Sequence, residues 1–214
     1  MAMTTMRDVQ YYVDTTPLLN DPEALRQRAR QDGCLFFEGL LPQSDVLDVR
    51  QQVLDVCARH GWLAQDNDLM EGIVQAERTV IESSDPRWKS FYCDVLKLRA
   101  FHALALHRAI IDALSVLFGE AVLPHSRNIC RAMFPQTQMH STPPHQDYFY
   151  IGGSDETWTA WIPLGDCPTE LGSLAVARGM HEVGFIRDVH EAQGAGGRAV
   201  DVGEETGWFG GDFE

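Results

Sequence analysis

A chain of 214 residues is long enough for one large domain around a single core, or for two small ones. Its 44% hydrophobic and 22% charged residues mark an ordinary soluble globular protein, and a net charge of −14 argues against nucleic-acid binding, which needs a basic surface to displace counterions. Cys34, Cys57, Cys93, Cys130 and Cys167 are odd in number, widely spaced and never arranged as Cys-x-x-Cys, which argues against a disulfide framework and structural zinc and for a reducing compartment.

Residues 1–20 are mixed and aperiodic, a lead-in with a short strand at Gln10–Val13. The N-terminus has no basic-then-apolar leader and no run of 18 apolar residues occurs, so a cytoplasmic protein away from membranes is expected. Asp21, Pro22 and Glu23 supply an N-cap, a proline at the first helical position and an acid in the first turn. They predict a helix to Asp32, stopped by Gly33. Cys34-Leu35-Phe36-Phe37 reads as a short apolar strand, Glu38-Gly39 as a turn, and Leu40-Leu41-Pro42 leads into the next helix. Ser44 and Asp45 can cap that helix, whose Val46, Val49, Val53, Leu54 and Cys57 recur at three-to-four spacing until Gly61. Residues 62–88, with Asp66, Asn67, Asp68, Gly72 and Pro86 between short apolar pieces, form a mostly irregular segment, either a substrate lid or a plain surface connection. Asp94–Phe118 is predicted as one long helix, apolar nearly all round and well buried, ended by Gly119. His102 and His107 within it are five apart and do not share a helical face, which argues against a joint metal site.

After Pro124 the pattern changes to strands at Ser126–Phe134, His140–Tyr150, Thr157–Leu164 and Leu174–Ala177, with turns at Gly152-Gly153, Gly165-Asp166 and Gly172. Residues 187–207 are polar and glycine-rich and read as a mobile loop, and Trp208 approaches one more strand. Helices followed by short antiparallel strands is the order of a mostly β (α+β) protein, a jelly roll buttressed by N-terminal helices. The organisation expected is a single domain over 1–214, with a lead-in (1–20), a helix-rich part (21–124) and barrel strands (125–214).

Residues 142–150, Thr-Pro-Pro-His-Gln-Asp-Tyr-Phe-Tyr, carry the candidate chemistry. On an extended strand His145 and Asp147 project from one face, about 7 Å apart along the chain, so two donors can converge on one ion. A histidine and a carboxylate are two-thirds of the facial triad that holds non-haem Fe(II) and leaves positions open for oxygen and a co-substrate. His-x-Asp also occurs in turns and surface pairs, and the spacing alone leaves both readings open.

Three pieces in order carry a family resemblance. They are Asp32-Gly33-Cys34-Leu35-Phe36-Phe37-Glu38-Gly39-Leu40-Leu41-Pro42, then Pro144-His145-Gln146-Asp147, then Trp161-Ile162-Pro163-Leu164 with Gly172-Ser173-Leu174 and Arg178-Gly179-Met180-His181. Together they resemble the phytanoyl-CoA dioxygenase-like branch of the Fe(II)- and 2-oxoglutarate-dependent oxygenases. The resemblance implies a double-stranded β-helix, the jelly-roll or cupin-like fold. It implies hydroxylation or a related oxidation of a small-molecule substrate with molecular oxygen, 2-oxoglutarate being converted to succinate and CO2. Fe(II) and 2-oxoglutarate are the cofactors implied, with His145 and Asp147 as catalytic iron ligands, Trp161 beside the 2-oxoglutarate pocket and Thr142 as a co-substrate contact. His181 falls in the family's turn and not at its ligand position, which implies a structural role. Tyr148, Phe149 and Tyr150 either wall the pocket or fill the barrel. A carboxylate at 147 implies hydroxylation, because family members that halogenate carry a small residue there.

The family's distal histidine and the arginine that pairs with the far carboxylate of 2-oxoglutarate belong to strands expected beyond Glu214. Within the chain the substitutes are His190, and Arg187 or Arg198, on a glycine-rich segment poorly suited to a rigid site. The alternative is a non-catalytic or truncated member of the same fold that lacks the third iron ligand. A cupin-like metal enzyme or sugar-binding jelly roll that uses no 2-oxo acid ranks behind both.

Overall fold

A computed structural model describes residues 9–75, 85–134, 145–151, 154–168, 171, 173–184 and 208–209. The chain divides into two compact units, the first made of residues 1–38, 116–120 and 142–214 and the second of residues 39–115 and 121–141. Each unit therefore draws on both the helix-rich and the strand-rich parts of the sequence.

In the first unit the Ala24 N–H donates to the Asp21 carboxylate at 3.1 Å and Pro22 takes the first helical position, so α1 runs Pro22–Asp32 as the sequence predicts. Gly33 ends it in the left-handed region at φ 70°. Leu25 and Ala29, four apart, are buried on one face. Arg26 donates to the carbonyls of Val116 and Leu117, both at 2.9 Å, groups left without helical partners at the end of a later helix. The apolar run at 34–37 contributes one parallel bridge, Phe36 with Asp14, where the Thr15 N–H reaches Phe36 O at 2.7 Å.

Three two-residue strands, β1 (Val9–Gln10), β2 (Val176–Ala177) and β3 (Trp208–Phe209), form a sheet in the order β1-β3-β2. The strand expected near Trp208 is its centre, parallel to β1 and antiparallel to β2. Among the described residues no ladder involves Ser126–Phe134 or Thr157–Leu164, both predicted as strands. Alternation reports a half-buried extended chain, whereas a ladder also needs a neighbour's N–H and C=O groups. The segments 135–144 and 185–207, where further strands and the glycine-rich loop were expected, lie outside the described residues.

In the second unit α2 (Gln43–Arg59) buries Val49, Val53, Val56 and Cys57. Pro42 holds the cap position without a side-chain bond, and Ser44 donates to Asp45 at 3.0 Å instead of capping the helix as predicted. Of the segment 62–88 that follows, residues 62–75 are more ordered than their composition predicts, and residues 76–84 lie outside the described residues. Leu63 and Val74 pair antiparallel, the Ala64 N–H reaches Ile73 O and the Gln75 N–H reaches Trp62 O, each at 2.9 Å. Arg50 from α2 holds Met70 O at 2.7 Å. Trp62, with no exposed surface, centres an aromatic cluster with Phe91 at 4.6 Å, Phe134 at 5.2 Å edge-on and Trp88 at 6.4 Å.

The one helix predicted over Asp94–Phe118 is broken twice, into the last residues of α3 (Pro86–Val95), α4 (Arg99–Ala105) and α5 (Arg108–Phe118). Histidine rings stand at both breaks. His102 Nε2 donates to Leu96 O at 2.9 Å just past α3, and His107 Nδ1 accepts the Ala109 N–H at 3.2 Å at the start of α5. Such side-chain bonds compete with continuation of the helix. Along α4 and α5 the buried residues are Phe101, Leu104, Ile110, Ala113 and Leu117, so the buried face is a stripe and does not run all round. By length and composition alone the 20 residues Arg99–Phe118 could cross a membrane, a test that core helices of soluble proteins also pass.

Trp62→Ala should cost about 3–5 kcal/mol by opening the aromatic cluster. Urea denaturation reads this directly, and an unchanged midpoint would remove Trp62 from the centre of that core.

Candidate metal-binding site

His145 and Asp147 meet: the ring Nε2 lies 3.1 Å from the carboxylate Oδ1. They do not lie on the predicted strand. His145 and Gln146 precede a turn at Asp147, and α6 (Tyr148–Ile151) is one helical turn whose Ile151 N–H donates to Asp147 O at 3.0 Å. The convergence expected from strand alternation is thus met on a bend that leads into a short helix. Their side chains keep 27% and 42% of their accessible surface, enough for a hydrated ion to reach both.

An imidazole nitrogen and a carboxylate oxygen this close can serve one cation in adjacent positions, and the donor set suits Fe(II) or Mn(II). Among the described residues no group of three or more His, Cys, Asp or Glu side chains is placed to hold an ion. Thr142, His190, Arg187 and Arg198 lie outside the described residues, as do the side chains of Phe149 and Tyr150; Tyr148 is half-buried. Trp161 is 46% exposed on an irregular stretch. His102 and His107 are committed to structure, with His102 Nδ1 at 3.2 Å from Asn128 Nδ2 and His107 Nε2 at 3.4 Å from Asp45 Oδ2. A cavity of about 450 Å³ lies in the second unit, lined by residues such as Gly61, Leu63, Asp68 and Ile73, and includes neither His145 nor Asp147.

Sequence reasoning passed over Gln146, whose amide donates to Gly184 O at 2.8 Å. Its place between the two donors was the available signal. Gly184 ends a turn that begins at Arg178 and rests on the end of α1. His181 Nε2 donates to Arg30 O at 2.8 Å, and a Cβ on Gly33 would stand 2.2 Å from His181 Nδ1. Asp32 is buried; Arg28 donates to its Oδ2 at 3.0 Å, while Oδ1 accepts no hydrogen bond and faces Arg178 Nη2 at 3.9 Å. At that distance the contact is one of charge. His181, for which the family resemblance implies a structural role, is thus engaged with the end of α1. Burial, and then the Asp32 charge, push the nearby Cys34 thiol up to about 11, with the Arg178 guanidinium pulling the other way. Burial likewise raises Tyr12, which donates to Leu174 O at 3.0 Å.

The pieces that meet here fall within one family match. The model of the phytanoyl-CoA dioxygenase (PhyH) family matches residues 29–197. The chain belongs to that family. Relatives include proteins named 1-deoxypentalenic acid 11-beta-hydroxylase, from Streptomyces arenae at 30% identity over 177 residues and from Streptomyces exfoliatus at 29% over 178. Each alignment covers 81% of this PhyH-family chain and 59% of the relative, so the chain spans about three-fifths of their length. No solved structure matches the chain.

Gly33→Ala should destabilise by about 1–2 kcal/mol through the left-handed backbone alone, with a further loss from the displaced imidazole. In Gly33→Ala/His181→Ala the second part should disappear, and strictly additive denaturation midpoints would exclude the contact. With Ellman's reagent at pH 8, exposed Cys93 should react well before Cys34 and before buried Cys57, whose thiol burial pushes up to about 12. Equal rates would contradict the burial of Cys34.

Proposed function

We propose that the chain is an Fe(II)- and 2-oxoglutarate-dependent dioxygenase, or the larger part of one, that hydroxylates a small organic molecule on a double-stranded β-helix. The observation that carries this reading is the 3.1 Å approach of His145 Nε2 to Asp147 Oδ1 inside the PhyH-family match. The relatives' names, hydroxylases of an organic acid, support oxidation of a small-molecule substrate of that class.

In this reading His145 and Asp147 hold the iron, and Trp161 and Thr142 stand on the co-substrate side. Iron with 2-oxoglutarate and oxygen supplies the oxidation of C–H to C–OH, with succinate and CO2 as the other products. The chain's own part is to bind and orient. A neutral imidazole and one carboxylate leave a bound dication with net positive charge, which attracts an anionic 2-oxo acid locally although the whole chain carries −14. Asp147 also occupies the position that a halide would need, which favours hydroxylation.

The lack of a three-donor group among the described residues favours a second reading, a family member that binds metal weakly and does not turn over. Incubation with Fe(II), 2-oxoglutarate, oxygen and a panel of organic acids should yield succinate and hydroxylated product, and both should fall to background in Asp147→Ala and His145→Ala. Unchanged turnover in Asp147→Ala overturns the assignment, and Mn(II) binding without succinate from any substrate selects the second reading.

A further inference from the structure

The residue between the two donors has a partner of its own. Gln146 Nε2 donates to Gly184 O at 2.8 Å, across 38 residues of sequence. Because the acceptor is a carbonyl, the amide nitrogen and not its oxygen must face it. His145 and Asp147 turn their side chains to each other, while the side chain between them reaches Gly184.

The acceptor is itself well fixed. Gly184 closes a run of tight turns in which the Met180 N–H reaches Ala177 O at 3.3 Å, the Glu182 N–H reaches Gly179 O at 3.1 Å and the Val183 N–H reaches Met180 O at 3.3 Å. Gly179 and Gly184 take left-handed φ values of 78° and 79°, a region costly to other residues. His181 pins this run to Arg30 O of α1, and Arg178 adds its charge contact with Asp32. Gln146 therefore hangs from a carbonyl whose place is set by a third element of the first unit.

We propose that Gln146 is a positioning residue for the His145–Asp147 pair: its bond to Gly184 O fixes the backbone rotation at 145–147 and with it the separation of the two donors. The geometry stands on its own contacts, and only the consequence for metal affinity rests on the metal-site reading above. Partners that bond ligating side chains directly hold them in orientation, and their loss typically weakens metal binding about 10- to 100-fold; Gln146 would act through the backbone between the two donors to the same end.

Two substitutions separate shape from hydrogen bonding. Gln146→Met keeps the length and removes the donor, and Gln146→Glu keeps the shape and sets a carboxylate against a carbonyl. In the metal-free chain the 15N signals of the His145 imidazole report its bond to Asp147. That signature should be lost in both variants while the melting curve stays that of the wild type. Gln146→Asn, one methylene too short to reach, should behave like Gln146→Met. An unchanged His145 signature in Gln146→Met and Gln146→Glu overturns the proposal. Mn(II) titration followed by electron paramagnetic resonance should show both variants about 10- to 100-fold weaker than wild type. A wild-type chain that takes up no Mn(II) overturns the metal-site reading, and the ring signature of the variants still decides the tether.

Discussion

The contact between His181 and the end of α1 is the constraint on which the first unit depends. A helix leaves its last carbonyls without intrahelical partners, and Arg30 O is met here by an imidazole 151 residues away in sequence. The approach requires Gly33 twice over, because the left-handed φ ends the helix and the missing Cβ leaves room for the ring. Closing so long a loop is entropically costly, so one hydrogen bond cannot hold it alone. The same stretch of chain adds the Arg178–Asp32 charge contact, the Tyr12 bond to Leu174 O and the pairing of β2 with β3. These contacts act together, and each shortens the loop that the next must close.

The second unit is held in a different way. Its buried residues come mainly from α2 to α5 and from Trp62, over a much shorter span of chain, and its stability comes from apolar burial around a few aromatic rings. Polar bonds there serve to shape the backbone. Arg50 secures the loop at Met70, and His60 lies 3.1 Å from Asp94 on the aromatic cluster's flank, where the Lys97 ammonium and the His60 ring hold the Asp94 carboxyl below its ordinary range. An apolar core of local contacts with polar staples folds with little loop-closure cost, which suits a scaffold.

The sequence made some of this legible and hid the rest for identifiable reasons. α1 was readable to the residue because its signals are local: an Asp21 cap, Pro22 at the first position and a left-handed Gly33. Over Asp94–Phe118 the sequence predicts one helix because apolar content shows how much surface is buried but not where a histidine ring will take a backbone group. His102 and His107 do that, and neither is a helix breaker by propensity. The pairing of His145 with Asp147 was legible from spacing, yet the expected strand is a bend onto α6, since nothing in an alternating pattern fixes a ladder without its neighbour. The place of Gln146 between the two donors marks it in the sequence, but its partner is hidden there, because a backbone carbonyl has no letter.

A strand in a ladder would hold positions 145–147 through regularly spaced backbone bonds to both neighbours, and side chains of the right type would then suffice. Here the segment is a bend followed by one helical turn, with Ile151 N–H on Asp147 O and Gln146 on Gly184 O among its ties. One line of contacts runs from α1 through His181 to the turn at 178–184 and from its last carbonyl to Gln146. In the proposed reading, the residues that position the donors are as much a part of the site as the donors. The motif at Asp32-Gly33 and the motif at Arg178–His181, far apart in sequence, touch in space, and the turn they anchor ends in the carbonyl that Gln146 reaches.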